Sequence, residues 1–434
     1  PLLSGLTRRF FHPLQLICVA IMPEFLELLP PEDALQTFLA KLSPQPADEE
    51  IHTANALGRI NLEPVVAPHP LPSFPRTTVD GFAVRAADTY GASESLPAYL
   101  SVVGEVPMGD TPDFSLPPAA CALIHTGGML PEGSDAVVMV EHTQSAREGE
   151  VEILRSVAVG ENVIHIGEDV AEGQVVIPAG TRLRPAEIGG LMALGFTSLM
   201  VGRQPRVGIL SSGDEVVPPE SELQPGQVRD VNAYTLSALV QSAGGIPVRY
   251  GIVSDRFEAL RESAARAHAE CDLVVITAGS SASTRDLTSR VIDDLGEPGV
   301  LVHGVNVRPG KPTILAVCDG KAMIGLPGNP VSALVIASLF VVPVVEALQG
   351  LQRPRPYASV PARLRVNLPS QAGREDWVAV RLVPDPQNPD GYLADPIFGK
   401  SNLIFTLARA DGLLRIHPDA TGLGAGENVQ VMLF

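Results

Sequence analysis

Residues 324–333 form the stretch of this chain best suited to chemistry, because an apolar run ends there in residues with special backbone properties. Asn329 has the side chain of a helix N-cap, and Pro330 suits the first helical position. Gly328 would let a ligand approach the backbone closely. The pattern predicts a buried strand that turns into a helix with free first amides, a place where oxyanions bind.

Three more turns carry groups that suit a phosphorylated ligand. Residues 211–215 read Ser-Ser-Gly-Asp-Glu, residues 277–286 are rich in Ser and end at Asp286, and residues 308–312 read Arg-Pro-Gly-Lys-Pro. Carboxylate oxygens suit Mg²⁺ that is held jointly with phosphate oxygens. The amides and hydroxyls of the second turn and the cations of the third would bind phosphate. The four turns together predict a site for a phosphorylated ligand and a divalent cation.

Each turn also has a purely structural interpretation. A carboxylate after a strand is often the N-cap of the next helix, and a Gly-Ser loop is often only a turn. Four such turns on one sheet favour the functional interpretation. Other chemistries have weaker support, because the sequence lacks a Walker A motif, a GxGxxG after a strand and a GxSxG elbow. His303 is interpreted as structural.

Apolar runs and helical patterns alternate between residues 206 and 350, as is typical of a parallel α/β sheet. Strands are predicted at 206–210, 248–253, 272–277, 312–318 and 322–326. Helices are predicted at 232–243, 255–270 and 286–295. Asn232 and Asp255 are the expected N-caps of the first two helices. Because the carboxyl ends of parallel strands share one edge of a sheet, the four turns should meet there.

The whole chain is predicted to be a multidomain protein of the α/β plus β class, since 434 residues exceed a single core. The predicted units are a discontinuous N-terminal mixed domain at 23–63 and 161–203, a β-rich inserted domain at 64–160, a central parallel α/β sheet domain at 204–352, and a small C-terminal β-domain at 357–434. Residues 1–22 imitate a signal peptide without a cleavage site, and we interpret them as a non-native or disordered extension.

Charge and cysteine content narrow the class of protein further. The net charge of −18 argues against a nucleic-acid partner and against an anionic membrane surface. The four cysteines are scattered and include no CxxC pair, which favours a reducing, cytoplasmic location and disfavours structural zinc. No segment is predicted to cross a membrane.

These motifs resemble those of the MoeA proteins of molybdenum cofactor synthesis, whose animal relative is the E domain of gephyrin. The resemblance covers nearly everything after Met22. The matching segments are 76–84 (Arg-Thr-Thr-Val-Asp-Gly-Phe-Ala-Val), 124–128 (Ile-His-Thr-Gly-Gly), 134–139, 167–169 (Gly-Glu-Asp), 211–215, 308–312 and 326–332 (Leu-Pro-Gly-Asn-Pro-Val-Ser).

The resemblance implies a molybdopterin molybdotransferase, which inserts molybdate into adenylylated molybdopterin and releases AMP with the help of Mg²⁺. It also implies a homodimer in which the MogA-like α/β domain of one subunit faces the partner's N-terminal and C-terminal domains across a shared cleft. A MogA-type enzyme and apo-molybdoenzymes are further candidate partners. Two alternatives stay open: a MogA-type molybdopterin adenylyltransferase, whose fold resembles only the α/β domain, and a noncatalytic pterin-binding or scaffold protein.

Motif positions and the four turns together assign roles to particular residues. The predicted catalytic residues are Asp80, Thr126, Asp169, Asp255 and Asp286. The predicted metal ligands are Glu215 and Asp286. The predicted substrate-binding residues are Ser212, Gly213, Gly279, Ser280, Ser281, Arg308, Lys311, Pro327, Gly328, Asn329, Pro330, Ser332 and Ser401. Molybdate is a dianion, so Arg308, Lys311, Ser332 and the amides at Asn329 are its expected receptors.

Three departures from the family pattern leave parts of the site open. The loop that begins at Gly279 lacks one family glycine and contains an added arginine. A family lysine before the Arg-Pro-Gly-Lys turn has His303 or Gly304 in its place. A C-terminal family arginine is absent from residues 377–379, which leaves Arg374 or Arg381 as substitutes.

Overall fold

The computed structural model describes residues 28–278, 282–354 and 356–434, with the backbone alone at 282–285. The predicted extension at 1–22 and the predicted substrate-binding residues Gly279, Ser280 and Ser281 lie outside the described residues. The described chain is built from several sheets, as the predicted multidomain α/β plus β class requires.

The central sheet has six strands, which lie in the order Ile246–Val253, Arg206–Ser212, Leu273–Ala278, Lys321–Pro327, Ile314–Cys318 and Pro298–His303. The first four are parallel to one another, as predicted. The last two each run antiparallel to the preceding strand. The expectation of a parallel sheet therefore holds for four strands, and the strand Pro298–His303 is absent from the prediction.

A tight hairpin explains the reversed strand. Cys318 pairs with Lys321, and the two residues between them, Asp319 and Gly320, both have positive φ angles of 47° and 79°. Asp-Gly between two apolar runs is a strong signal for a two-residue hairpin. The sequence analysis treated these runs as successive parallel strands, and the turn chemistry contradicts that detail.

Helices cover both faces of the central sheet, which is apolar on each side because alternate residues point in opposite directions. Ile209 and Val275 pack on one face, whereas Leu210 and Ile276 pack on the other. The first face is covered by the helices Pro31–Leu42, Asn232–Ser242 and Pro330–Leu348, and the second by Phe257–Glu270 and Ala282–Asp293.

The helix Pro330–Leu348 is long and apolar enough, by length and composition alone, to cross a membrane, a feature that the sequence analysis overlooked. It contains a π-helical turn at Ala337–Val341. Phe340, Val344 and Val345 are buried in the core of the α/β unit. Packing on the sheet therefore accounts for the apolar composition of this helix.

Both predicted N-caps are wrong. Asn232 is the first residue of its helix, and the carboxylate of Asp230 accepts the N–H of Ala233 at 3.1 Å instead. Asp255 lies before the helix Phe257–Glu270, and no side-chain hydrogen bond caps the start of that helix. A carboxylate two residues upstream can reach the first helical amides equally well, and the residue pattern does not show which position does so.

The N-terminal half contains an inserted six-stranded sheet and several two-stranded sheets. The large sheet has the order Ala136–Met139, Gly81–Val84, Ala120–Ile124, Ala98–Val106, Glu150–Ile153 and Thr143–Arg147. The two-stranded sheets pair Asp48–His52 with Ser198–Gly202, Val65–Val66 with Val175–Ile177, and Arg76–Thr77 with Val163–Ile164. A helix spans Pro185–Ala193. The first of these pairs joins segments on either side of the predicted insertion at 64–160, whereas the other two join strands inside that range to segments that follow it. The exact domain boundaries stay a prediction.

The C-terminal sheet closes on itself. Its strands lie in the order Val307–Arg308, Glu375–Asp385, Asn388–Pro396, Ser359–Leu364, Asn428–Leu433 and Gly412–Ile416, and the second also pairs with the last. Short sheets pair Val216–Val217 with Val228–Arg229 and Leu368–Pro369 with Gly422–Leu423, and a short helix spans Phe405–Ala408. The strand Val307–Arg308 comes from the segment predicted to belong to the α/β domain, so the two units share a sheet.

Candidate functional site

The described ends of the four predicted turns lie at one edge of the central sheet. Ser212 pairs with Val253, Ala278 pairs with Pro327, and Ile314 pairs with Gly325. The turns at 211–215, 277–286 and 326–330 begin at the carboxyl ends of parallel strands. The turn at 308–312 reaches the same edge because it precedes a strand that runs in the opposite direction. The antiparallel hairpin therefore brings the cationic turn to the same edge of the sheet as the carboxylates.

Carboxylates occupy one side of this edge, which we call the acidic wall and define as Asp214, Glu215 and Asp255. The hydroxyl of Ser212 donates to Oδ1 of Asp255, and the N–H of Asp255 donates to Oδ1 of Asp214 at 3.3 Å. Asp214 and Glu215 are exposed. Ser212 thus links the end of its strand to a carboxylate that is available to a ligand.

Gly213 shapes the acidic wall through its backbone. Its φ angle is +151°, and a Cβ atom at this position would lie 2.9 Å from Oε2 of Glu215. Glycine alone avoids that contact without displacing the carboxylate. The predicted catalytic residue Asp286 is exposed and lies about one turn into the helix Ala282–Asp293, which follows the neighbouring strand.

Cations occupy the other side, which we call the basic wall and define as Arg308 and Lys311. Both side chains are exposed, and no carboxylate within 4 Å pairs with Lys311 among the described residues. Gly310 between them has a φ angle of +111°, and a Cβ atom there would lie 2.1 Å from Cγ1 of Ile336. The basic turn therefore packs closely on the helix that begins at Pro330.

The start of this helix is only partly free, which corrects the predicted row of open amides. The N–H of Val331 donates to the carbonyl of Ser401 at 2.9 Å, and Nδ2 of Asn329 donates to Oγ of Ser401 at 3.0 Å. Ser332 is buried. A loop of the C-terminal unit thus covers the first helical amide, a contact between distant segments that no local pattern contains.

Asn232 has a role that sequence reasoning missed. Its Nδ2 donates to the carbonyl of Gly328 at 2.8 Å, which ties the helix Asn232–Ser242 to the turn between Pro327 and Pro330. The side chain is buried. One signal in the sequence could have indicated this role: Asp230, two residues earlier, is an alternative N-cap, which leaves the Asn232 side chain available for another contact.

A narrow crevice with a cavity volume of only about 10 Å³ lies beneath this edge. It is lined by Ala278, Thr288, Pro312, Ile314, Gly325, Leu326 and Pro327. Three of the predicted turns therefore border one depression, through Ala278, Pro312 and Leu326.

Three predicted residues lie elsewhere in the subunit. The N–H and the hydroxyl of Thr126 donate to Oδ1 of Asp80 at 2.7 and 2.9 Å, and these bonds hold the pKa of Asp80 below its ordinary value. Asp169 is exposed, and its N–H donates to the carbonyl of Leu71. Within the described part of one chain, no hydrogen bond or ion pair joins Asp80, Thr126 or Asp169 to the α/β edge.

The carboxylates fit a divalent cation only if the ligand supplies further oxygens. No group of three or more His, Cys, Asp or Glu residues that could hold a metal occurs in the described ranges. Mg²⁺ commonly takes one or two carboxylates and completes its shell with water and substrate phosphates. Glu215 and Asp286 match that donor type, whereas a metal cage made from protein alone does not fit.

Exposed carboxylates, exposed cations and a helix start at one sheet edge are the features expected of a site for an anionic, phosphorylated small molecule. Three family models match the chain: MoeA N-terminal region (domain I and II) at residues 29–195, probable molybdopterin binding domain at 208–347, and MoeA C-terminal region (domain IV) at 361–434.

Curated relatives and solved structures agree with these matches. The chain is 35% identical over 401 residues to the molybdopterin molybdenumtransferase of Nostoc sp. (strain PCC 7120 / SAG 25.82 / UTEX 2576), covering 90% of each chain. It is 31% identical to that of Bacillus subtilis (strain 168), covering 91% of this chain and 95% of the relative. A molybdopterin biosynthesis MoeA structure from Pyrococcus horikoshii OT3 matches with a TM-score of 0.81 and 30% identity, over 94% of this chain and 100% of that one.

The chain therefore belongs to the MoeA family of molybdopterin molybdenumtransferases and is an enzyme of that class. The resemblance drawn from the motifs and the predicted multidomain fold class are both confirmed. The roles of individual residues stay predictions.

The structure also separates the two arginines considered as substitutes for the missing family arginine. Arg381 pairs with Asp395 at 3.4 Å, within the C-terminal sheet. Arg374 pairs with Asp376, which also lies 3.7 Å from Arg308. Arg374 is thus the one that adjoins the basic wall.

Proposed function

We propose that this enzyme inserts molybdate into adenylylated molybdopterin and releases AMP in an Mg²⁺-dependent reaction of molybdenum cofactor biosynthesis. The observation that carries the proposal is the meeting of the acidic and basic walls at one edge of the central sheet. A ligand that spans both walls must present phosphate oxygens to the cations and to a metal beside the carboxylates. Adenylylated molybdopterin and molybdate have that chemistry.

Cleavage of a phosphoanhydride requires charge neutralisation and positioning more than a nucleophilic side chain. Lys311 and Arg308 would hold the oxyanion, with Ser332 and the Asn329 amide at the helix start. When bound, Mg²⁺ would supply neutralisation of the negative charge that develops on the phosphate oxygens. Glu215 and Asp286 would hold it, and Asp255 would orient the ligand through its contact with Ser212.

The reactive site is proposed to lie in a cleft shared by two subunits. Among the described residues, no hydrogen bond or ion pair joins Asp80, Thr126 or Asp169 to the α/β edge of their own chain, so they would serve the edge of the partner. The N-terminal units carry exposed apolar side chains at Leu57, Val66, Val175 and Met192, which suit burial in a subunit interface. Light scattering should therefore give twice the mass of the chain.

The decisive experiment combines purified protein, adenylylated molybdopterin, Mg²⁺ and molybdate. AMP release and activation of an apo-molybdoenzyme are followed together, with reactions lacking molybdate or Mg²⁺ as controls. Molybdate-dependent AMP release is the expected result. Absence of that dependence would contradict the proposal and favour the noncatalytic pterin-binding or scaffold alternative. ATP-dependent consumption of molybdopterin would favour the adenylyltransferase.

We also propose a cytoplasmic location for this step. Three of the cysteines, Cys121, Cys271 and Cys318, are buried free thiols, which suits a reducing compartment. Fractionation of the native host, followed by immunodetection, tests this location.

A further inference from the structure

The basic wall is physically joined to the C-terminal unit. The strand Val307–Arg308 pairs in parallel with the start of the strand Glu375–Asp385, and the register places Arg308 opposite Asp376. The N–H of Glu375 also donates to the carbonyl of Asn306 at 3.1 Å. Because paired positions in a sheet send their side chains to the same face, this register brings Asp376 to Arg308.

Asp376 is a buried carboxylate that serves two arginines. Its side chain is 5% exposed, and Arg374 donates to it as a fork, from Nε to Oδ1 at 2.7 Å and from Nη2 to Oδ2 at 3.0 Å. Nη1 of Arg308 lies 3.7 Å from Oδ2. The Arg308 side chain is 65% exposed. One guanidinium thus anchors the carboxylate, and the carboxylate in turn restrains a guanidinium that remains open to a ligand.

The charges around this junction match a dianion. Arg308, Lys311, Arg374 and Arg415 contribute four positive charges, and Glu375 and Asp376 contribute two negative charges, so the net local charge is +2 (4 − 2). The chain as a whole carries −18. A local excess of positive charge in so acidic a protein attracts an anion selectively.

We propose that Asp376 is a positioning residue for oxyanion binding, which holds Arg308 with Arg374 as a clamp for a tetrahedral dianion of the molybdate type. The inference rests on the proposed function, because that function names the oxyanion. It adds that the C-terminal unit of the same subunit completes the basic wall. A restrained arginine loses less conformational entropy when it binds its ligand, which raises affinity without a change in the chemical step.

The test is Asp376→Asn, which keeps the shape of the side chain and removes its charge. The KM for molybdate in AMP release should rise up to about fivefold, because Arg308 loses an ionic partner that lies 3.7 Å away, while kcat stays within about twofold. Calorimetric titration with sodium molybdate should show the same loss of affinity without any turnover.

Asp385→Asn is the matched control. Asp385 is equally buried in the same sheet and pairs with Arg363 at 2.8 Å. It should lower thermal stability to a similar degree and leave the KM for molybdate unchanged. If Asp385→Asn raises the KM as much as Asp376→Asn does, the effect is structural and the proposal is overturned.

Arg308→Gln provides a second route if Asp376→Asn does not fold, since Arg308 is mostly exposed. It should raise the KM for molybdate by at least as much, and the double variant should add little to it, because Asp376 acts through Arg308. Additive effects, or a KM that is unchanged or lower in Asp376→Asn, would overturn the clamp. Molybdate-independent AMP release by the unaltered enzyme would instead contradict the proposed function, and the titration would still test the clamp.

Discussion

The two walls of the candidate site are built in different ways. The acidic wall comes from two neighbouring strand ends of one sheet, and its contacts between Ser212, Asp214 and Asp255 lie within the α/β unit, although they join residues 43 and 41 positions apart. The basic wall depends on a second unit, because Asp376 and Ser401 of the C-terminal region contact Arg308 and the start of the helix at Pro330. The carboxylates thus belong to the α/β unit alone, whereas the position of the basic wall depends on contacts between the α/β unit and the C-terminal unit.

The largest effect is expected from Asp286→Ala, beside the acidic wall. Turnover should fall about a hundredfold or more, since the variant removes a proposed ligand of the charge-neutralising metal. The melting temperature should hardly change, because an exposed carboxylate contributes little to packing. AMP release and thermal melting measure the two quantities.

Asp294→Ala is the control for this comparison. Asp294 is an exposed carboxylate just beyond the same helix and pairs with Arg261. It should leave turnover unchanged. Normal turnover in Asp286→Ala would remove that residue from the site and leave the acidic wall without its proposed partner.

The next effect is expected from Lys311→Ala, on the basic wall. Loss of an unpaired cation should raise the KM for molybdate about thirtyfold, since truncation of one partner of a charge pair typically costs about 2 kcal/mol or more. Lys321→Ala is the control. Lys321 begins the strand Lys321–Pro327, at the edge of the sheet opposite the candidate site, and it donates to the carbonyl of His268. Equal effects of the two variants would show that general charge, not the basic wall, sets affinity.

A smaller effect is expected from Ser401→Ala, which tests whether the C-terminal unit supports the basic wall. This change removes the hydroxyl that accepts from the side-chain amide of Asn329. The lost hydrogen bond should reduce the free energy of molybdate binding by about 1 kcal/mol and raise the KM for molybdate about fivefold. Ser338→Ala is the control, since its hydroxyl donates to the carbonyl of Leu334 within the same helix. If Ser401→Ala leaves the KM for molybdate unchanged, Ser401 of the C-terminal unit does not contribute to the function of the basic wall.

The smallest effect is expected at Asp80. Hydrogen bonds from Thr126 to the ionised carboxyl lower the pKa of Asp80 in the folded state. Their stabilising contribution is therefore present above the ordinary pKa and is lost as pH falls through the lowered one. Thr126→Val removes the hydroxyl donor and keeps the backbone N–H donor, so the pKa of Asp80 should rise part of the way toward its ordinary value.

Carbon-detected NMR titration of the Asp80 carboxyl measures this shift, and the acid limb of kcat/KM should move to higher pH with it. Asp80 belongs to neither wall of its own chain, so this titration tests its proposed role in a cleft shared by two subunits. A shifted NMR pKa with an unmoved pH profile would exclude Asp80 from the reaction.

Local patterns predicted much of the fold and the candidate site. The four turns could be located because Gly, Pro and Asp after apolar runs have strong backbone preferences that operate over a few residues. The Asp319–Gly320 hairpin is equally local, and the error there came from weighing strand periodicity above turn chemistry. The misplaced caps at Asn232 and Asp255 reflect a choice between neighbouring acceptors that packing decides.

The sequence by itself determined the family, the order of the elements and the residues of the acidic wall, because these depend on spacing within short segments. Only the tertiary structure decided that Asp376 restrains Arg308 and that Ser401 covers the first free amide of the helix. Those partners lie about 70 residues apart along the chain. Their contact depends on how two separately patterned units dock, and side-chain periodicity within either unit carries no record of that docking.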